Sequence, residues 1–526
     1  MATTKLKFND KKQELGEWLN VEDAYRIAAG DVGAIVSHLA QLRCADAAER
    51  LMRVIAERRH VYGITTGFGP LADRLIDPDE ATTLQQNLVH HLASGVGPRH
   101  PWVEARAMVL ARLNTILQGA SGARAPIIAL LTDVMNSDLA PVIPQRGTVG
   151  ASGDLTPMAH VALALQGRGA FFDQTGKTYD ADRGLRLLSV APLTLAGRDG
   201  LALVNGTAAM TGVALCNAKA MRHLLDWSVA LTAGLAEVLG GRAEAWEPAF
   251  ATLRPHPGQA EVTRALLARI AGSDAVIWSK LAQRQIGDDL GRADWIGQDA
   301  YTLRCAPQVI GAVWDTAEAH EQTVEIELNA VTDNPIFPED EADLALHGGN
   351  FMGQQIGLAS DALANGVAVL AGLMERQVAR LCDERLNMGL PAFLHRGPAG
   401  LNSGFMGAQV TATALLAEIR AIGPASCQSI STNGANQDVV SMGTIAARLA
   451  RDKLTMASEI AAILALCVAQ AMDLRRLQDG PAFSAAAGHL HAVIRAAAPE
   501  MFEDRPLGKE ISAVANIVAR QPPPQG

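Results

Sequence analysis

Long, Ala- and Leu-rich runs whose apolar residues recur at helical spacing limit how this chain can fold. From Ile445 they fall at 445, 449, 456, 460, 463, 464 and 467. Steps of three, four and seven collect such residues on one helix face. Comparable runs cover 103–117, 208–239, 356–381 and 407–419. A long apolar stripe needs an equally long partner, so these runs predict a mainly α protein, a bundle of helices about 30–45 Å long. Strand character is weak. The best case is 171–179, where Gln174-Thr175-Gly176 reads as a hairpin turn. No repeat or low-complexity linker interrupts the chain before the polar tail 520–526. The expected organisation is an N-terminal region over 1–225 that carries the chemistry-bearing loops, a central long-helix bundle over 226–480, and C-terminal helices with the tail over 481–526.

Charge narrows the partners. Forty-five Lys and Arg against 55 Asp and Glu give a net charge of −10. That disfavours nucleic acid or an anionic membrane surface as the main partner, since either needs a basic face. The apolar stretch Ile460 to Val468, between Glu459 and Gln470, is far short of the ~20 residues of a membrane span, so no span is expected. The first twelve residues are polar and lack the apolar core of a secretory signal. Six cysteines stand scattered at 44, 216, 305, 382, 427 and 467, without a CxxC pair. This argues against a zinc knuckle or a disulfide framework and fits a reducing cytoplasm.

Glycine-rich loops break the helical pattern at Tyr62-Gly-Ile-Thr-Thr-Gly-Phe-Gly69, Gly147-Thr-Val-Gly-Ala-Ser-Gly-Asp154, His347-Gly-Gly-Asn-Phe351 and 397–407. Such loops permit close backbone approach; taken singly, each also reads as a turn between helices. Ala-Ser-Gly occurs twice. At 120–122 it follows a helical run, with Gly119 as the terminating glycine, and helix termination explains it. At 151–153 no periodic run leads in. Pro141, Pro144, Gly147 and Gly150 force an irregular approach, and Asp154, Thr156 and Pro157 signal a helix over 158–165. This second triplet therefore lies at a helix mouth, where amide dipoles favour developing negative charge. Neither a P-loop nor a dinucleotide fingerprint fits: no Lys follows Gly153, and no βαβ pattern surrounds the glycines. The triplet permits a rarer chemistry. If the Gly153 nitrogen attacks the Ala151 carbonyl carbon and two waters leave, the backbone closes into a five-membered methylidene-imidazolone. Ser152 supplies the hydroxyl whose loss creates the exocyclic alkene, an electrophile that ordinary side chains do not provide.

The stretch 147–157, Gly-Thr-Val-Gly-Ala-Ser-Gly-Asp-Leu-Thr-Pro, resembles the signature of the aromatic amino acid ammonia-lyases. Further motifs resemble the family's in order: the Tyr62 loop, Leu203-Val-Asn-Gly-Thr207, Gly297-Gln-Asp-Ala-Tyr-Thr-Leu-Arg304, Thr332-Asp-Asn-Pro335, His347-Gly-Gly-Asn-Phe351 and Asn433-Gly-Ala-Asn-Gln-Asp438. The resemblance spans roughly residues 20 to 510. It implies a mainly helical fold like that of the histidine and phenylalanine lyases, and a homotetramer whose active sites mix residues of different subunits. It also implies a 4-methylidene-imidazol-5-one formed autocatalytically from Ala151, Ser152 and Gly153, with no metal and no nucleotide.

The implied reaction is non-oxidative loss of ammonia from an aromatic L-amino acid, giving a trans-arylacrylate. Its difficulty is that the departing β-proton is not activated by the carboxylate, and ammonium leaves poorly until an electrophile captures the amine. Tyr62 resembles the family's base. An isolated phenol keeps its proton to about pH 10, so a tyrosine base needs stabilisation such as a positive helix end. Tyr301 matches the second essential tyrosine, supplied by a neighbouring subunit. Arg304 resembles the carboxylate clamp, a role suited to a bidentate guanidinium. Asn205 and Gln298 match hydrogen-bonding partners of ring and substrate; Gly69, Asn334, Phe351, Asn433 and Gln437 match the pocket lining.

Substrate choice centres on His91 and Leu92, the pair that in the family faces the far end of the substrate ring. Histidine lyases resemble Ser-His there and phenylalanine lyases Phe-Leu; His-Leu looks like the bacterial tyrosine group. An imidazole can hydrogen-bond a phenol, whose unpaired burial costs about 1–3 kcal/mol. Phenylalanine can still enter, so partial activity on it is expected. Gln437 stands where histidine lyases carry Glu, and Met406 where plant phenylalanine lyases carry Lys. The alternatives are a phenylalanine lyase and a tyrosine 2,3-aminomutase with the same electrophile. The Gly-Ser-Ser loop of fumarase–aspartase lyases is absent. A non-catalytic homologue would need none of Tyr62, Ser152, Tyr301 and Arg304.

Overall fold

The computed structural model describes residues 11–278, 297–339 and 344–525; the reading of the polar N-terminus falls mostly outside them. Eighteen α-helices and seven short strands occur among the described residues. The periodic runs are helices at Trp102–Leu117, Ala208–Leu239, Gln354–Cys382, Met406–Ala421 and Gly443–Leu477. The last has 35 residues, about 52 Å at 1.5 Å per residue, longer than the spacing argument predicts.

The chain divides into two compact units, each assembled from separated segments. The first comprises Met1–Lys219, His320–Asp361 and Pro424–Leu449. Its centre is the helix Trp102–Leu117, in which fifteen residues are buried, from Trp102 through Leu117 with only Val103 half-exposed. Such all-round burial leaves no outward face for charge, yet Arg106 is there. Its guanidinium donates to the carbonyls of Ala28 at 2.8 Å, Met135 at 2.7 Å and Ser137 at 2.6 Å. Those oxygens lie at the C-terminal ends of the helices Val21–Ala28 and Ala125–Met135, where a cation satisfies otherwise orphaned carbonyls. Burial nevertheless pushes the Arg106 pKa down to about 9.

Local chemistry in this unit follows the sequence closely. Gly119 has φ +78° just past the helix end at Leu117, which makes it the terminating glycine. The hairpin pairs Ala170–Asp173 with Thr178–Asp180, antiparallel, beside the strand Leu139–Pro141. Asp173 closes its turn by accepting the backbone N–H groups of Thr175 and Lys177, both at 3.0 Å.

The second unit comprises Ala220–Ala319, Ala362–Gly423 and Ala450–Gly526. Its core is helical, with Trp227, Leu363, Val367, Ile460, Leu464 and Cys467 fully buried. Ala461, Ala462, Ala465, Ala469 and Ala471 are also buried, and such small residues let helices approach closely. The C-terminal helices Ala485–Ala497 and Gly508–Arg520 cover it; the Trp227 indole N–H reaches the Gln521 carbonyl at 2.8 Å. Glu237 accepts the hydroxyls of Ser273 and Ser484, each at 2.7 Å.

One sequence expectation is corrected here. Gln354–Cys382 and Gly443–Leu477 are each long and apolar enough to cross a membrane. The apolar stretch looked short because interspersed polar residues, such as Gln470, break it without removing its overall hydrophobicity. Within the protein, 61% and 83% of their apolar windows are buried, as in core helices.

At Gly212 the helix Ala208–Leu239 packs tightly on the backbone of Trp102–Leu117. A Cβ there would stand 2.5 Å from the Met108 backbone nitrogen and 2.8 Å from the Ala107 carbonyl carbon. Gly212→Ala should therefore lower stability by about 1–3 kcal/mol, despite the ~1 kcal/mol that alanine gains in a helix interior. A thermal or denaturant melt that showed stabilisation would contradict this packing.

Candidate active site

The first unit holds a cavity of about 610 Å³ in which the Gly-rich loops meet. Ala151 and Ser152 line it, and Gly153 lies buried behind them. Gly153 has φ +69°, and an added Cβ would sit 2.0 Å from the Gly206 carbonyl oxygen. No other residue fits, so the backbone at 153 presses directly on that at 206. The Asp154 N–H then donates to the Gly206 carbonyl at 2.7 Å. A small-residue triplet held by backbone contacts, with its serine facing a cavity, is the setting that a self-formed methylidene-imidazolone needs. The residues therefore fit that group.

The helix after the triplet runs Leu155–Leu165, three residues earlier than its sequence signal suggests. Asp154 precedes it, but its carboxylate does not cap it. Instead it accepts the Met210 N–H at 2.6 Å and the Thr444 hydroxyl, in the first turns of Ala208–Leu239 and Gly443–Leu477. Burial raises its pKa to about 6, although these donors pull the other way.

Tyr62 enters the cavity from its Gly-rich loop. The Gly69 N–H donates to its phenol oxygen at 2.9 Å, and its own N–H donates to His347 Nε2 at 3.2 Å. Phe68 packs edge-on against the ring, with centroids 6.1 Å apart. A backbone donor is thus aimed at the phenol oxygen.

His91 and Leu92 close the helix Ala81–Leu92 and line the same cavity. The His91 Nδ1 lies 2.9 Å from the Asn87 carbonyl oxygen, an acceptor. Nδ1 therefore carries the proton in the neutral ring, and Nε2 is left with a lone pair.

Asn205 and Asn334 lie over a buried ion pair. Arg198 grips Asp333 with two bonds, 2.6 and 3.0 Å long. Burial opposes the charge, but Arg198 and Arg112 hold the Asp333 carboxyl below its ordinary pKa. Asn205 donates to Asp333 Oδ1 and to the Asn334 carbonyl, both at 3.0 Å. Phe351, Asn433 and Gln437 also line the cavity. Asn433 donates to Gln437 at 2.7 Å, and Gln437 to the Ser152 hydroxyl at 3.4 Å.

Eleven of the expected site residues thus share one cavity: Tyr62, Gly69, His91, Leu92, Ala151, Ser152, Asn205, Asn334, Phe351, Asn433 and Gln437. Four belong to the second unit: Gln298, Tyr301, Arg304 and Met406. They do not line the cavity. Tyr301 opens the short helix Tyr301–Arg304 and is 70% exposed. Arg304 stacks on its ring at 4.8 Å and donates to Gln298. Met406 begins the helix Met406–Ala421 and is partly exposed.

The family model described as "Aromatic amino acid lyase" matches residues 19–496. The chain belongs to the aromatic amino acid lyase family. It is 59% identical to a tyrosine ammonia-lyase of Cereibacter sphaeroides over 97% of this chain and 98% of that protein. A second tyrosine ammonia-lyase, from Cupriavidus metallidurans, is 40% identical over 96% of this chain and 95% of its own. The crystal structure of a tyrosine aminomutase from Streptomyces globisporus superposes with a TM-score of 0.91 at 37% identity, covering 96% of each chain.

Within this lyase the sequence reading missed the groups beneath the cavity. Asp333, Arg198 and Arg112 fix Asn205, and Asp154 joins the triplet to two helix starts. In the sequence Asp333 shows only as the acidic member of Thr332-Asp-Asn-Pro335, and Asp154 only as a helix-start signal. Because Asp154 is harder to ionise folded than unfolded, the folded state keeps a proton the unfolded chain has lost between its ordinary 3.8 and about 6. Its contribution is most favourable below that window and is lost as pH rises through it, by at most about 3 kcal/mol. The melting temperature of Asp154→Asn relative to the unaltered protein should therefore be higher at about pH 7.5 than at about pH 4.5; the opposite trend would contradict the assignment.

Proposed function

We propose that the protein is a carbon–nitrogen lyase that eliminates ammonia from L-tyrosine without oxidation, giving trans-p-coumarate, with some activity on L-phenylalanine. The observation that carries the substrate choice is His91. With Nδ1 committed to its own helix, Nε2 is an acceptor at the cavity and suits a phenol hydroxyl. The identity with two tyrosine ammonia-lyases supports the same reading.

Ala151, Ser152 and Gly153 would form the 4-methylidene-imidazol-5-one, which supplies an electrophile for the substrate amine. Tyr62 takes the β-proton at its phenol oxygen, where the Gly69 N–H steadies the charge. Asn334, Phe351, Asn433 and Gln437 shape the pocket around the substrate chain and ring. Arg304 pairs with the carboxylate, with Gln298 beside it, and Tyr301 serves either as a proton relay or to order its loop. These groups and Met406 would come from neighbouring copies in a homotetramer, a role suited to an exposed tyrosine. A cytoplasmic setting fits the six free cysteines.

The aminomutase likeness supports a second reading, in which ammonia returns to the β-carbon. Chromatography of the products separates the two, since only the mutase leaves β-tyrosine.

Purified protein without added cofactor should release arylacrylate and ammonia together, fastest from L-tyrosine, more slowly from L-phenylalanine and not from L-histidine. Fastest turnover of L-phenylalanine would overturn the substrate assignment, and silence with all three would overturn the lyase reading. His91→Phe should lower the Tyr/Phe ratio of kcat/KM by about 10- to 100-fold; an unchanged ratio removes His91 from specificity. Tyr62→Phe should lower kcat by about 100-fold or more with little change in KM.

A further inference from the structure

We propose that Asp333 is a positioning residue that fixes the Asn205 side chain with its carboxamide oxygen toward the cavity, and that this oxygen holds the ammonium group of the substrate. The inference rests on the elimination chemistry proposed above and adds how the amine is read before it reacts.

The orientation of Asn205 follows from its partners. Its amide nitrogen has two protons, and both are spent, on Asp333 Oδ1 and on the Asn334 carbonyl oxygen, each at 3.0 Å. Neither partner can donate: Asp333 is held ionised by Arg198 and Arg112, and the other is a backbone carbonyl. Turning the amide over would set oxygen against two oxygens, so one orientation prevails. Asn205 is only 3% exposed, yet it lines the cavity. Its carboxamide oxygen accepts no bond among the described residues and is not sealed from the cavity. It is therefore an acceptor offered to whatever binds.

An acceptor selects a donor. L-Tyrosine has two at neutral pH, the ammonium and the phenol; its carboxylate only accepts. The phenol belongs to His91, so the ammonium is left for Asn205. Asn334 complements this pattern. Its side-chain oxygen is taken by the Gly348 N–H at 2.7 Å, which leaves its amide protons to donate. The two asparagines side by side thus present opposite polarities, suited to an ammonium and a carboxylate on one α-carbon.

Neither guanidinium beneath lines the cavity, and Asp333 offsets part of their charge. Besides Asp333, Arg198 donates to the Ser121 carbonyl at 2.7 Å and the Asn334 carbonyl at 2.8 Å, and Arg112 donates to the Asn205 carbonyl. What reaches the cavity is the oriented amide dipole, and the ion pair's role is to hold it.

The test uses two ligands in the full-length assembly carrying Ser152→Ala, so that no electrophile can react with an amine. Tyramine has the ring and ammonium without a carboxylate; 3-(4-hydroxyphenyl)propanoate has the ring and carboxylate without an amine. Binding is read by calorimetry, which needs no turnover; turnover of L-tyrosine by the unaltered protein separately decides whether the lyase reading holds. Asn205→Leu, which leaves the Arg198–Asp333 pair in place, should weaken tyramine by about tenfold or more and the propanoate by less than about threefold. Asp333→Asn should shift the two ligands in the same unequal way, and the exchange Asn205→Asp with Asp333→Asn, which restores an acceptor at the cavity, should recover tyramine binding. Should Asp333→Asn not fold, Asn205→Leu alone decides. Equal weakening of both ligands, or loss of the propanoate only, would overturn the proposal.

Discussion

The backbone contact between Gly153 and Gly206 is the constraint on which the rest of the site depends. An added Cβ at 153 would lie 2.0 Å from the Gly206 oxygen, so the two chains touch with no side chain between them. On one side of that contact stands Ser152, facing the cavity. On the other stands Asn205, tied to Asp333 and Asn334. Triplet and amide are therefore fixed relative to each other through main chain, the stiffest connection a protein has. Asp154 extends the same unit to the starts of Ala208–Leu239 and Gly443–Leu477. Long helices thus act as the mount, and irregular loops carry the chemistry.

That arrangement explains what a linear reading could and could not see. Helical periodicity found the boundaries of 208–239 to the residue and those of 103–117, 356–381 and 407–419 to within a few, because packing of an apolar stripe sets both pattern and length. It fell short for 443–477, where polar side chains such as Gln470, which bonds the Met501 carbonyl at 2.9 Å, are buried inside the stripe. The same broken pattern hid how apolar that helix is. The hairpin was legible because its turn chemistry is local to Asp173 through Lys177.

Most of the candidate site was legible too, through motifs whose glycines and asparagines have few structural reasons to cluster. The buried ions beneath were not. Asp333 and Arg198 are 135 residues apart, and no local pattern announces such a pair. Nor could spacing reveal that the Asp154 carboxylate serves helices other than its own. Polar networks of this kind are satisfied only in three dimensions, and they decide which end of each asparagine the cavity meets.

The proposed elimination requires the Ala151–Gly153 loop to become an electrophile without help from any added group. Mass spectrometry of the purified chain tests it most directly, with Ser152→Ala as the reference. The unaltered chain should be lighter than its encoded mass by two waters, with the loss confined to the peptide containing residues 151–153, and Ser152→Ala should retain its full encoded mass. An unaltered chain at its encoded mass would contradict it.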